Sequence, residues 1–158
     1  MPNESPAIKN VFDIPTESGS NYPSPFNEPC MDRIRRRLGD QFGLTDFGVN
    51  LEVLPPQSWS SQRHWHTDED EFVYVIDGTP TLVTDEGETV LQPGSIAGFA
   101  AGNENGHHLV NKSDAPVTLL EVGSRRPGDS CRYSDIDMQM VGRGQPDAKF
   151  TRRNGDPY

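Results

Sequence analysis

The sequence predicts an all-β protein: an antiparallel sandwich or barrel of seven or eight short strands. Three observations carry that prediction. From residue 46 onward apolar and polar residues alternate in short runs, the period-two signature of half-buried strands. Turn-forming residues, among them Asp77-Gly78, Asp85-Glu86-Gly87 and Pro93-Gly94, separate those runs at close spacing. No helical pattern stands between them, which argues against the strand–helix alternation of a parallel sheet.

Taken in order, residues 1 to about 30 hold six of the fourteen prolines. Proline removes amide donors and biases its predecessor towards extended geometry, so this stretch reads as an arm. Phe12, Tyr22 and Phe26 give it apolar weight, and it is expected to pack on the sheet or on a partner subunit. Asp32 to Leu38 reads as a short helix, with Ile34 and Leu38 at i,i+4 and Gly39 as its stop. From Asp46 the period changes: Phe47, Val49, Leu51 and Val53 alternate with Gly48, Asn50 and Glu52 until Pro55-Pro56 ends the strand. Further strands are expected at about 60–66, 71–76, 80–84, 88–92, 95–99, 107–111 and 117–122. The tail from Arg125 is polar, with Ile136, Met138, Met140 and Val141 as its apolar cluster, and is expected over the barrel exterior. The chain thus divides into an arm with a short helix (1–45), a β-barrel (46–124) and a tail (125–158). If Glu71 points inward, so do Val73 and Val75, which leaves Phe72, Tyr74 and Ile76 on an outer face. Three bulky apolar side chains there call for cover, and a homodimer is the expected source.

Composition narrows the partners. A formal net charge of −10 leaves no Lys/Arg excess to replace counterions on phosphates, which argues against nucleic acid. The basic run from Arg33 to Arg37 lies between Asp32 and Asp40 and reads as a solvated face. Mean hydropathy is −0.71, and no apolar stretch approaches membrane-spanning length. With two cysteines, Cys30 and Cys131, and no basic-then-apolar leader, the expectation is a cytoplasmic protein with reduced, buried thiols.

All four histidines fall in two stretches, Arg63-His64-Trp65-His66 and Gly106-His107-His108. On a strand His64 and His66 share a face, roughly 6–7 Å apart, with Trp65 turned away. With Glu71 opening the next strand and His107 on a later one, three imidazoles and a carboxylate could surround one ion. Glu71 is preferred over Asp68, Glu69 and Asp70 because it adjoins the apolar run, whereas those three read as a solvated acidic turn. Alternation places His108 outside. Asn111, four residues after His107, is the candidate to orient its ring. Candidates for moving a proton, by strand position alone, are Gln62, Tyr74 and Glu121. Nucleophile elbows, phosphate loops, dinucleotide fingerprints and Cys-x-x-Cys pairs are absent from the sequence.

The spacing His64-x-His66-x4-Glu71-x6-Gly78, then Gly94-x5-Ala100-x-Gly102 and His107-x3-Asn111, resembles the two motifs of the cupin superfamily. The resemblance spans about residues 58–111 and departs at Ser58, at Ala100 and in a loop two residues longer before the His107-His108 pair. It implies a double-stranded β-helix, or jelly roll, holding one divalent metal (Fe, Mn, Zn or Ni) on His64, His66, Glu71 and His107. The whole chain resembles small bacterial single-domain cupins, often labelled sugar-phosphate isomerases. The function this implies is metal-dependent isomerisation or lyase chemistry on a small oxygenated, sugar-like substrate. Two alternatives stay open: an iron(II) dioxygenase, and a non-catalytic module that binds or senses a small ligand.

Overall fold

The structure, a computed structural model, describes residues 8–158, so the part of the arm carrying Pro2 and Pro6 lies outside the described residues. Thirteen strands account for nearly all regular structure: β1 Glu17–Ser18, β2 Ile34–Arg37, β3 Phe47–Leu54, β4 His64–His66, β5 Glu71–Asp77, β6 Thr81–Thr84 and β7 Gly87–Val90, followed by β8 Ile96–Phe99, β9 His108–Val110, β10 Val117–Ser124, β11 Cys131–Tyr133, β12 Gln139–Val141 and β13 Lys149–Thr151. Three single 3-10 turns are the only helical elements among the described residues.

Six strands form one antiparallel sheet in the order β1-β2-β3-β10-β5-β8. Its centre is β10, which pairs β3 from Val117↔Leu54 to Ser124↔Phe47 and β5 from Thr118↔Asp77 to Gly123↔Glu71. Period two then sorts the side chains. Val117 and Leu119 of β10 join Leu54, Val73 and Val75 in a buried core that Leu109 closes from the opposite face. That opposite face is made of β7-β6-β9 and β13-β12-β11-β4. An isolated bridge joins them, in which His107 N–H donates to His64 O at 2.8 Å and His64 N–H returns at 3.1 Å. The expected jelly-roll layering is present, but the sheets do not close into a sealed barrel. Gly78 ends β5 at φ +82, and a Cβ there would meet Pro116 O at 2.8 Å, so the turn requires glycine.

Three expectations are corrected. The segment expected as a short helix from Asp32 to Leu38 is strand β2. Local i,i+4 spacing loses to tertiary pairing, because Ile34↔Val53, Arg35↔Glu52, Arg36↔Leu51 and Arg37↔Asn50 satisfy its backbone along β3. Arg35 also forms an ion pair with the buried Glu52, its partner in that register. The tail does not lie over the exterior: β11 pairs β4 directly through Cys131↔His66, Arg132↔Trp65 and Tyr133↔His64. Its buried residues Cys131, Tyr133 and Met138 form a second cluster, against which Tyr22 and Phe26 of the arm pack. Phe12, expected to pack, stays exposed. Phe72, Tyr74 and Ile76 lie on the outer face, each about 40% exposed. Among the described residues no helix is long and apolar enough to cross a membrane.

Candidate metal centre

Three strands and one bridge bring the histidines together. β4 turns His64 and His66 to the same buried side, while the backbone of each is tied to Tyr133 and Cys131 across β11. The bridge sets His107 beside His64, and β5 opens with Glu71 facing both. The ring centroids of His64 lie 5.0 Å from His66 and 4.9 Å from His107. Glu71 is the hub: its Oε2 is 2.7 Å from His107 Nε2 and 3.4 Å from His64 Nε2, and its Oε1 is 3.5 Å from His66 Nε2.

Neighbouring groups decide what these rings present. His64 Nδ1 lies 2.8 Å from Gln62 O, a carbonyl that can only accept, so Nδ1 carries the proton and Nε2 faces Glu71. His66 Nδ1 donates in the same way to Asp129 Oδ2 at 2.6 Å. Asp129 is itself fixed, accepting from Asp68 N–H at 2.8 Å. His107 stacks flat on Phe99, with centroids 3.5 Å apart, and its buried Nδ1 has no hydrogen-bond partner among the described residues. Two imidazole Nε2 atoms are thus left as acceptors aimed at a carboxylate, an arrangement that needs a cation. Metal–N bonds of about 2.1 Å put neighbouring donors of one ion roughly 3.0–3.4 Å apart, close to the 3.4 and 3.5 Å seen here. Donor atoms of His64, Glu71 and His107 lie within 4.8 Å of one another and could hold a divalent metal, with His66 adjoining them through Glu71.

Without a metal, protons serve as the cation. Burial raises the Glu71 carboxyl, but the His64 charge and hydrogen bonds from His107, His64 and His66 outweigh it and hold it well below the carboxylate range. Burial depresses His66, yet its bonds to Asp129, Cys131 and Glu71 push it up to about 12. Burial prevails at His107, which is lowered.

The cluster lies on the wall of a cavity of about 610 Å³, which Glu121, Cys131 and Tyr133 also line. Glu121 lies opposite Val73, and Gly123 opposite Glu71, so Glu121 and Glu71 are diagonal neighbours on one face, roughly 7–8 Å apart at the backbone. Arg35 spans Glu121, at 3.5 Å, and the fully buried Glu52. Burial and then the Glu52 charge push the Glu121 carboxyl up to about 8, against the pull of Arg35. The carboxyl thus holds its proton more tightly than an ordinary glutamate.

Other expected site residues are placed elsewhere. The Gln62 side chain donates to Phe26 O at 2.8 Å, tying down the arm; only its carbonyl serves the site. Tyr74 points away from the cavity on the outer face. Asn111 donates to Leu54 O and Ala115 O at 2.8 Å each and accepts from Ser113, so it locks a turn and makes no hydrogen bond to His107. His108, expected outside, is buried against Trp59 and bonds Ser61 O, because residues 59–61 cover that side of β9. Glu69, expected in a solvated turn, is buried with Arg143 Nε 3.0 Å away. Sequence reasoning missed Asp129. A ligating imidazole implies an orienting acceptor, but nothing local points 63 residues downstream.

Comparison with known proteins agrees with this architecture. Residues 50–123 match the Cupin domain family. The chain is 44% identical to a sugar phosphate isomerase from a cupin superfamily of Silicibacter pomeroyi, covering 94% of each chain with a TM-score of 0.90. It is 25% identical, over 80% of each chain and with a TM-score of 0.73, to an Acidithiobacillus ferrooxidans protein whose assignment as a sugar phosphate isomerase is provisional. The polyketide cyclase RemF from Streptomyces resistomycificus is similar in fold alone, at 19% identity over 84% of this chain and 87% of its own, with a TM-score of 0.65. None of the curated proteins compared matches this chain significantly. The strand order, the motif spacing and the 44% identity together make this chain a member of the cupin superfamily.

Proposed function

We propose that this chain is a metal-dependent isomerase of a small phosphorylated sugar. The observation that carries this reading is the shared cavity wall. His64, His66, Glu71 and His107 converge beside Glu121, in a chain 44% identical to a sugar phosphate isomerase. In this reading the three imidazoles and Glu71 hold one divalent ion, whether Fe, Mn, Zn or Ni. Such an ion polarises a carbonyl or hydroxyl of the substrate and so acidifies the adjacent C–H.

The residues of the chain supply the rest. Asp129 and the Gln62 carbonyl fix the tautomers of His66 and His64. Glu121, steadied by Arg35, takes the proton from the carbon next to the carbonyl and returns it to the neighbouring carbon. One C–H bond breaks and one forms on the neighbouring carbon, while the hydroxyl proton passes to the former carbonyl oxygen as the C=O bond moves between the two carbons; aldose and ketose interconvert with no external oxidant. A lyase would use the same base. We further propose a homodimer through the Phe72, Tyr74 and Ile76 face, and a cytoplasmic setting consistent with two free buried cysteines.

The test is a panel of aldose and ketose phosphates in D₂O, followed by proton NMR on the metal-loaded enzyme. Deuterium at the carbon next to the carbonyl, lost by about 10²-fold or more in Glu121→Gln with metal content unchanged, supports the reading. Iron with oxygen uptake would favour the dioxygenase instead, and binding without exchange the sensing module.

A further inference from the structure

We propose that Arg33 anchors an anion, the phosphate group of the substrate, where residues 18–20 of the arm and residues 60–61 form the cavity wall. The proposal deepens the sugar phosphate reading and rests on it for the source of the anion.

Five arginines line the cavity: Arg33, Arg35, Arg37, Arg125 and Arg143. Four are matched by carboxylates, namely Arg35 by Glu52 and Glu121, Arg37 by Glu17, Arg125 by Asp40, and Arg143 by Glu69. Arg33 differs in kind. Its Nε donates to Gly19 O at 3.1 Å and its Nη1 to Ser60 O, both neutral carbonyls. Among the described residues it makes no ion pair, and no hydrogen bond from its Nη2 is formed. Two backbone anchors thus hold a planar cation whose Nη2 donors remain available to phosphate or carboxylate oxygens.

The surrounding charges leave room for an anion. Glu17, Glu69 and Glu121 each have an arginine partner, and Glu71 faces the three imidazoles. Arg33 also acts through space on Glu52 and Glu121. Arg35 lies between Glu52 and Glu121, and Arg33 adds a second positive charge beside that pair. Ser18, Ser20 and Ser60 line the same wall. The site is also within reach of the metal centre: Ser60 and His64 are four residues apart, a backbone span of at most about 13 Å.

The experiment uses inorganic phosphate on the EDTA-treated full chain, so that a bound metal cannot capture it. Phosphorus NMR or calorimetry should show saturable binding, weakened at least about tenfold in Arg33→Gln, with circular dichroism unchanged. In a second measurement that needs no variant, phosphate should protect Arg33 from an arginine-directed dicarbonyl, read by mass spectrometry. Equal affinity in Arg33→Gln, no saturable binding to the native chain, or no protection would each overturn the proposal. Acetate binding more tightly than phosphate would assign the site to carboxylates and overturn it as well. The two readings fail separately. Phosphate binding lost in Arg33→Gln, without deuterium exchange on any sugar phosphate, removes the isomerase and keeps the anion site. Exchange with an unchanged KM in Arg33→Gln does the reverse.

Discussion

Replacing Asp129 by asparagine probes the metal centre without touching a ligand. Asp129 uses two oxygens for two jobs: Oδ2 accepts from His66 Nδ1 at 2.6 Å and Oδ1 accepts from Asp68 N–H at 2.8 Å. Asparagine has one oxygen and an NH₂ group, so one of those two donors must face another donor. If His66 loses its acceptor, its ring is free to present the wrong tautomer, and its Nε2 becomes a poorer ligand in either case. Loss of such an orienting carboxylate costs 10–100-fold in metal affinity, or about 1.4–2.7 kcal/mol. Both partners are buried, so folding stability should fall as well, by about 1–3 kcal/mol for the mispaired group. Competition with a chromophoric chelator for zinc or cobalt measures the first effect, and thermal denaturation of the apo protein measures the second. A folded Asp129→Asn chain with native metal affinity would refute the assignment of His66 as a ligand oriented from the tail.

Other expectations follow from the same geometry. The Glu121 carboxyl, raised to about 8 from its ordinary 4.5, binds its proton more tightly in the folded chain. Folding stability should therefore decline as pH rises between those two values, and Glu121→Gln should flatten that decline in urea titrations. Where ionised Glu121 limits turnover, kcat/KM should climb towards a plateau above about pH 8, and the glutamine variant should lose that limb. Gly78→Ala combines a left-handed backbone with a Cβ 2.8 Å from Pro116 O and should cost about 2 kcal/mol or more, read as a lower urea midpoint. Sedimentation of Tyr74→Glu should show monomer where the native chain sediments as a dimer; a native monomer would remove the dimer argument.

Much of the strand content was legible because period two is written directly into β3, β5 and β10. The same parity brings His64, His66 and Glu71 to one side. The limits appear where partners are remote. Ile34 and Leu38 have helical spacing, and only the register with β3 shows that Arg35 is needed beside Glu52 and Glu121. Of the three residues named for proton transfer, strand position alone could not separate Glu121 from Gln62 and Tyr74. The cavity contains Glu121 and excludes the other two. Alternation misjudged His108 because it assumes one wet face, whereas the Trp59 segment covers that side. The tail's role was invisible for a similar reason: Asp129 bonds His66 across 63 residues of sequence, and Cys131 pairs with the same residue.

We propose that His64, His66, Glu71 and His107 form one metal site. Its most direct test is elemental analysis of the purified native chain beside His64→Ala and His107→Ala, each checked for native circular dichroism. One divalent metal per native chain and substoichiometric metal in both variants are expected. Full metal retention by either folded variant, or a native chain that binds no divalent metal on reconstitution, would contradict it.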